Sequence, residues 1–279
     1  RRGTSVYFID RVVPMLPVEL SNNICSLNPH TNKLTLSVVM EISDDGELLS
    51  HRVVEGIIST AHRMTYDTVD KILLGDGETC AEYADIKDNI LLMRELADIL
   101  KTNRKKSGSI DFDFPETKIE VDQNGKPTNV YKYRTGVSNG IIEEFMLMAN
   151  RTVAEAFYWL EVPFIYRIHE KPSADKIANF NSFLANMNMR IKGSEPHPME
   201  FARMLAEIRG TEREMLISKV MLRSLMKAKY SDSNEGHFGL AFRYYCHFTS
   251  PIRRYPDLAI HRIIKEYING GLNADRAQH

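Results

Sequence analysis

Four short segments in the first half of the chain have the pattern of β-strands: residues 34–42, 52–58, 118–121 and 129–133. Asp44-Asp45-Gly46 separates the first two segments, and Asn124-Gly125 separates the last two. Both are sequences that favour tight turns between antiparallel strands. The pattern therefore predicts two β-hairpins.

Most of the remaining chain shows apolar residues at helical spacing. The predicted helices cover residues 67–74, 85–103, 138–160, 173–187, 198–208 and 212–228. The second of them ends in a basic run, Lys101-Thr102-Asn103-Arg104-Lys105-Lys106. Runs of strands followed by runs of helices indicate an α+β fold, with antiparallel strands in the N-terminal half and a mainly helical C-terminal half. No internal linker is evident, so a single domain over residues 1–279 is predicted.

Residues 247–258 combine a turn with two adjacent arginines. Ser250-Pro251 suits the start of a helical turn, whereas Pro256 lacks the amide that a continuing helix would need, so the chain should turn here and then restart as an amphipathic helix. Arg253 and Arg254 then lie at a helix entrance, where free amides and the macrodipole favour an anion. The alternative is a capped helix with two solvated arginines.

The predicted helix 138–160 carries two polar ridges separated by small or apolar residues. Asn139, Glu143 and Asn150 form one ridge. Glu144, Arg151 and Glu155 form the other, and they can neutralise one another, so this ridge is expected to face solvent. The first ridge is then expected to face a polar cavity and to suit the hydroxyl groups of a ligand. The alternative is that it is an ordinary solvated helix edge.

Composition restricts the kind of protein and the kind of binding surface. Hydrophobic residues make up 43% and charged residues 26% of the chain, which is ordinary for a globular protein. Without an 18-residue apolar run or a signal sequence, the chain is expected to be soluble and cytoplasmic, with no membrane partner. The net charge is −1, so any nucleic-acid site must concentrate positive charge locally, as a channel does.

Cysteine and histidine spacing gives no metal site. The three cysteines are an odd number without C-x-x-C spacing, which argues against a disulfide framework and a zinc site. His169, His247 and His261 show no ligand spacing, and packing or capping roles are expected for them. Asp111 and Asp113 are interpreted as charges at a strand edge, because no third ligand is near them in sequence.

Several strings in the chain resemble those of the RNB family of exoribonucleases. They are G-T-S-V-Y-F (3–8), I-I-E-E-F-M-L-M-A-N (141–150), Y-R-I-H-E-K-P (166–172), H-F-G-L-A (237–241) and H-F-T-S-P-I-R-R-Y-P-D-L (247–258). Their order and spacing match over essentially the whole chain. Within the family, the variants H-F-G-L-A and S-P-I-R-R-Y-P-D-L resemble the ribonuclease R type more than the ribonuclease II type.

The resemblance implies an RNB-type catalytic domain that degrades single-stranded RNA from the 3′ end to nucleoside 5′-monophosphates with Mg²⁺. In the family, the acidic Mg²⁺-binding cluster precedes the T-S-V-Y string and an S1 domain usually follows. Neither is expected here, so the chain should be a partial RNB domain that is inactive alone. No obligatory protein partner is expected. The alternative is an RNB-like protein that binds RNA without degrading it.

The resemblance also implies roles for individual residues. Arg253 is expected to contact the scissile phosphate as the catalytic arginine, because a guanidinium can bind phosphate oxygens in a bidentate manner. Arg254 is assigned to RNA binding, through another phosphate, or else to an acidic partner. Glu143 is expected to read the terminal ribose, and Asn150 lies on the same ridge.

Two aromatic residues complete the expected RNA-binding set. By motif position, Tyr7 and Phe112 resemble the aromatics between which family members hold the last nucleotides by stacking. Each also has an ordinary explanation. Tyr7 fits a strand, and Phe112 alternates with Ile110 and Phe114 as residues of a strand core do.

Overall fold

The computed structural model of the protein describes residues 2–112, 114, 116–133 and 135–271; Asp113 lies outside the described residues. Contacts divide the chain into two compact units. The first takes in the described parts of Arg1–Leu100, Pro115–Val153 and His247–His279, and the second those of Lys101–Phe114 and Ala154–Cys246. Two of the boundaries fall inside continuous helices, which explains why no linker composition marks them.

The strands of the described residues are all short except for one long hairpin. They are β1 (Val6–Tyr7), β2 (Val12–Val13), β3 (Asn32–Ile42), β4 (Leu48–Ser59), β5 (Glu116–Val121), β6 (Pro127–Tyr133), β7 (Tyr166–Ile168) and β8 (Lys229–Ser231). They form two-stranded antiparallel sheets, pairing β1 with β2, β3 with β4, β5 with β6 and β7 with β8.

The described residues form eight α-helices, five of which begin at or after residue 137. They are α1 (Tyr66–Leu74), α2 (Gly77–Glu82), α3 (Lys87–Lys106), α4 (Val137–Trp159), α5 (Ala174–Ala185), α6 (Pro198–Ile208), α7 (Glu214–Ser224) and α8 (Tyr255–Ile268). A π-helical turn (Leu20–Ile24) and a 3₁₀ turn (Phe238–Leu240) are also present. The predicted α+β class is confirmed.

Both predicted hairpins are confirmed. β3 and β4 pair in register from Asn32↔Ser59 to Glu41↔Ser50, and Gly46 closes their turn with a φ of 85° that favours glycine. The β5–β6 turn uses Gly125 in the same way, with a φ of 78°.

Helix ends follow local sequence signals where those are strong. α6 begins at Pro198, as predicted, because His197 caps it and proline suits its first turn. α7 ends at Ser224, earlier than predicted, because Leu225 is extended and residues 229–231 pair with β7 instead. The short helix α2 was not predicted, since six residues are too few to show a helical period.

The described core of the second unit is formed largely by α5, α6 and α7. Ile177, Phe180 and Leu184 recur at helical spacing on α5 and are almost completely buried, as is Phe201 on α6. Burying each such side chain contributes about 1.5–3 kcal/mol. This apolar packing supports the loop 109–112, whose Ile110 belongs to the same core.

Candidate nucleic-acid interface

The turn that carries the two arginines is built around one buried carboxylate. Asp257, in the first turn of α8, is fully buried and its Oδ1 accepts the Ser250 amide at 2.7 Å. The Arg254 guanidinium donates to both carboxylate oxygens, from Nε to Oδ2 at 2.8 Å and from Nη2 to Oδ1 at 2.6 Å. The Ser250 carbonyl accepts the amides of Arg253 and Arg254 at 3.2 and 3.1 Å. The chain turns and then restarts as a helix, as predicted.

The N-terminal stretch holds the turn from a second side. The Ser5 amide and the Thr4 hydroxyl both donate to the Arg253 carbonyl, at 2.9 and 3.1 Å. The Tyr255 amide donates to the Gly3 carbonyl at 2.9 Å. The backbone of Thr4 is thus paired antiparallel with that of Arg254, near the other end of the chain.

The side chains of the two arginines have different environments. The Arg253 side chain is exposed and makes no hydrogen bond or ion pair with another described residue. Arg254 has the acidic partner that was one of its two expected roles, and its side chain is 21% exposed. Its contact with RNA stays a prediction.

Tyr7 lies close to this turn along the chain. It is 62% exposed, and it follows Ser5, which is paired with Arg253, by two residues of extended backbone, or about 7 Å. Its aromatic ring is therefore accessible to a ligand near Arg253. Tyr7 is a strand residue as well, in β1, so its two interpretations are compatible.

Asn150 and His261 fix the segment that enters the turn. Asn150 is 3% exposed, and its Oδ1 accepts the amides of Phe248 and Thr249 at 2.8 and 3.3 Å. The His261 ring stacks on Phe248, and its Nε2 lies 2.9 Å from the Phe248 carbonyl. Burial lowers the pKa of His261, so the ring is neutral near pH 7 with Nε2 as the donor. Asn150 therefore supports the turn, and its direct contact with RNA stays a prediction.

The expected roles of the two ridges on α4 are wrong in one respect. Glu144, which was expected to be solvated, is 4% exposed, whereas Glu143 is exposed. Glu144 follows Ile141 by three residues and precedes Met148 by four, so it belongs to the buried stripe of the helix. Glu143 is accessible to a ligand, and its contact with ribose stays a prediction.

Phe112 lies in the second unit, in a loop instead of a strand. Its ring packs, partly buried, against the core of that unit and stacks on Phe114 at a centroid distance of 5.6 Å. Asp111 is also not at a strand edge, since its Oδ1 accepts from Nη1 of the buried Arg104 at 2.6 Å. The strand interpretation is wrong for residues 110–112, which the structure describes as loop, because these side-chain contacts and the hydrogen bond from the Ile110 amide to the Gly239 carbonyl hold them without a strand partner.

His169 in the second unit has the packing role that was expected for it, and His237, for which no role was predicted, has a capping role. His169 is 8% exposed; its Nδ1 accepts the Gly239 amide at 3.0 Å and its Nε2 lies 2.8 Å from the Met226 carbonyl. Burial lowers the pKa of His169. His237 caps the 3₁₀ turn by accepting the Leu240 amide at 3.2 Å. A side chain at position 239 would place its Cβ 2.8 Å from His169 Nδ1, so glycine is required there.

Among the described residues, no group of three or more His, Cys, Asp or Glu side chains could hold a metal ion. The three cysteines form no disulfide bond with one another in the described parts of the chain. No helix in the described parts of the chain is long and apolar enough to cross a membrane.

Comparison with known proteins identifies the family. The model of the RNB domain matches residues 1–270. The chain belongs to the RNB-domain family. Ribonuclease R 1 of Lactococcus lactis is 48% identical over 279 residues, which cover 99% of this chain and 34% of the relative. Ribonuclease R of Thermotoga maritima is 43% identical over 270 residues, covering 96% of this chain and 38% of the relative.

Solved structures give the same result for the fold of this RNB domain. Mycoplasma genitalium RNase R in complex with ribose methylated single-stranded RNA matches with a TM-score of 0.89 and 28% identity, over 99% of this chain and 44% of the other. The complex of the same enzyme with double-stranded RNA gives 0.90. The chain spans little more than a third of the two curated relatives described above.

Proposed function

We propose that this RNB domain is part of an exoribonuclease that hydrolyses single-stranded RNA in the 3′-to-5′ direction and releases nucleoside 5′-monophosphates. Curated relatives that are 48% and 43% identical are ribonucleases R, and a related RNase R has been solved with RNA bound. We also propose that the whole protein works in the cytoplasm. These relatives support the reaction class, and the residues below supply a physical basis for it.

The observation that carries the proposal is the contrast between Arg253 and Arg254. Arg254 is held by Asp257, while the neighbouring guanidinium of Arg253 is exposed and projects from a turn fixed on two sides. A planar guanidinium can donate two parallel hydrogen bonds to phosphate oxygens. Because the backbone of the turn is already ordered, little reorganisation is needed when charge develops on those oxygens in the transition state.

Tyr7, Phe112 and Glu143 have supporting roles in the proposal. The two aromatic rings would stack on bases, at about 1–3 kcal/mol per base. The exposed Glu143 would accept hydrogen bonds from ribose hydroxyls, and the 2′-hydroxyl is the group that DNA lacks.

Magnesium is the proposed cofactor of the whole protein. The residues described here form no group that fits the ion, so its ligands would have to be other residues. The role proposed for Arg253 is accordingly limited to holding the scissile phosphate and its developing charge.

The test compares Arg253→Lys with wild type in the whole protein, on a 5′-labelled single-stranded RNA with Mg²⁺. The lysine variant should lose about 10²–10³-fold in turnover, with little change in RNA affinity, because charge is kept and bidentate geometry is lost. Arg262→Lys, at an exposed position on α8, is the matched control.

Equal turnover of the two lysine variants and wild type would remove Arg253 from the mechanism. RNA binding by the wild-type protein without any shortening of the labelled RNA would instead support a non-catalytic RNA-binding protein. Shortening by internal cuts would exclude an exonuclease.

A further inference from the structure

A basic pocket lies at the end of α3, within the second unit. Its volume is about 330 Å³, and its wall includes Lys105, Arg203 and Arg209 together with Ser109 and Asp111. Lys105 belongs to the basic run at the end of α3, to which the proposed function gives no role. The arginine turn belongs to the first unit and not to this one.

The charges on this wall are unevenly compensated. Lys105 and Arg209 are exposed, and their side chains form no ion pair or hydrogen bond with any other described residue. Arg203 is paired at 3.0 Å with Glu200, but its own side chain is 66% exposed, so this pair is weak. Three cations near one small volume favour an anion within it.

The single carboxylate of the pocket wall, that of Asp111, is already neutralised by a buried arginine. Asp111 Oδ1 accepts from Nη1 of Arg104 at 2.6 Å, and the Arg104 side chain is only 5% exposed. Because this charge is compensated, it opposes an incoming anion much less than a free carboxylate would. The net charge facing the pocket is positive.

Ser109 supplies a neutral donor on the floor of the pocket. It is 3% exposed, and its Oγ accepts from the same Arg104 nitrogen at 3.1 Å. Among the described residues, no acceptor takes the hydroxyl hydrogen of Ser109. A hydroxyl that accepts from a buried guanidinium is polarised and donates well to an anion.

The floor is held in place by backbone contacts. Gly108 has a φ of 97°, and a Cβ there would lie 2.8 Å from the Met199 amide nitrogen, so only glycine allows this close approach. The Ile110 amide donates to the Gly239 carbonyl at 2.8 Å. An ordered donor set loses little entropy when a ligand binds.

We propose that this pocket binds a phosphate group of the RNA strand, adjacent to the nucleotide whose base stacks on Phe112. Phe112 directly follows Asp111, so the pocket and the ring belong to one ordered loop. The inference rests on the proposed function for the identity of the strand. The phosphate chemistry itself rests on the three cations and on Ser109.

The simplest competing explanation is that the cations only stabilise helix ends. Lys105 lies in the last turn of α3, and Arg209 is the C-terminal cap of α6. Cations in such positions interact favourably with the helix macrodipole. If this explanation is right, removing these side chains should weaken RNA binding no more than removing the same positive charge from elsewhere on the unit.

The test measures binding of a single-stranded RNA to the whole protein in EDTA, over a range of salt concentrations. Lys105→Gln/Arg209→Gln should bind roughly tenfold more weakly than wild type, and its slope of log K against log salt should fall by about 0.7 for the lost phosphate contact. The control is Lys192→Gln/Lys219→Gln, which removes the same charge from exposed positions of the same unit. If both double variants weaken binding equally, the pocket has no phosphate and the proposal is overturned.

Two further experiments distinguish a strand phosphate from a free nucleotide phosphate, and the pocket proposal from the proposed function. A nucleoside 5′-monophosphate that competes with RNA for wild type but not for the pocket variant would show that the pocket also takes a free nucleotide phosphate. Equal competition for both proteins would confine the pocket to phosphates within a strand. Adding Mg²⁺ then tests cleavage: a selective binding defect without any RNA degradation by wild type would retain the pocket and reject the proposed function.

Discussion

Replacing Asp257 by asparagine tests how the arginine turn is held. The substitution keeps the size of the side chain and one acceptor oxygen, but it removes the charge opposite Arg254 and one of the two guanidinium contacts, at 2.6 and 2.8 Å. Removing one partner of a buried ion pair costs about 3–5 kcal/mol. Because the Arg254 side chain is 21% exposed, and water can solvate part of it, we expect a smaller cost of about 2–3 kcal/mol.

Thermal unfolding of the whole protein measures this cost. At this chain length each kcal/mol shifts the Tm by roughly 2 °C, so Asp257→Asn should lower the Tm of this domain by about 4–6 °C. Glu55→Gln is the control, because Glu55 pairs with Lys265 at 2.7 Å on the surface, with side chains 41% and 56% exposed. Exposed pairs contribute about 0–1 kcal/mol, or under roughly 2 °C. Equal shifts for the two variants would refute the view that burial makes the Asp257 pair important.

Four further substitutions give distinct outcomes. Tyr7→Ala and Phe112→Ala should each change the length of the shortest RNA product by removing a stacking surface, and unchanged products for both would reject the stacking roles. Glu143→Ala should reduce the preference for RNA over DNA in a competition assay, whereas an unchanged preference would mean that the residue is only solvated. Burial, and to a smaller extent the Arg167 charge, lower the pKa of His169 in the folded protein. Because His169 binds a proton more readily in the unfolded protein, the free energy of unfolding should fall as the pH drops from about 7 towards 5. This fall should be smaller in His169→Gln.

Local signals in the sequence were sufficient for the two hairpins and for the helices with strong caps. The turns at Gly46 and Gly125 require positive φ, and the sequence shows this directly. Helices with a strong cap and a clear apolar stripe, such as α6, were predicted to the residue, since both signals act within a few positions. Prediction was less accurate at the end of α7, where the chain becomes extended at Leu225, before β8 begins and pairs with β7.

Side-chain environments were harder to predict than elements. Glu143 and Glu144 are adjacent, and charge patterning assigned the wrong one to solvent, because patterning does not show which neighbours cover a helix face. The contact of Arg254 with Asp257 spans three residues at a helix start and was foreseeable as an acidic partner. The contact of Arg104 with Asp111 crosses a helix end, where spacing rules for regular helices no longer apply.

The strings that carry the family resemblance are also contact partners in the structure. Within the first unit, the T-S-V-Y string pairs with the arginine turn through Ser5 and Arg253, and Asn150 of the α4 string accepts the amides that lead into that turn. Within the second unit, His169 accepts the Gly239 amide and so joins the Y-R-I-H-E-K-P string to H-F-G-L-A.

Several buried polar side chains of these strings therefore hold backbone in place. The buried members, Asn150, His169 and Asp257, have polar groups that are occupied by other parts of the chain. Two exposed members, Tyr7 and Arg253, have side chains that hold no backbone of another described residue in place. An exposed aromatic and an exposed guanidinium beside an ordered turn are what a single-stranded nucleic acid requires, a face for stacking and a charge for phosphate.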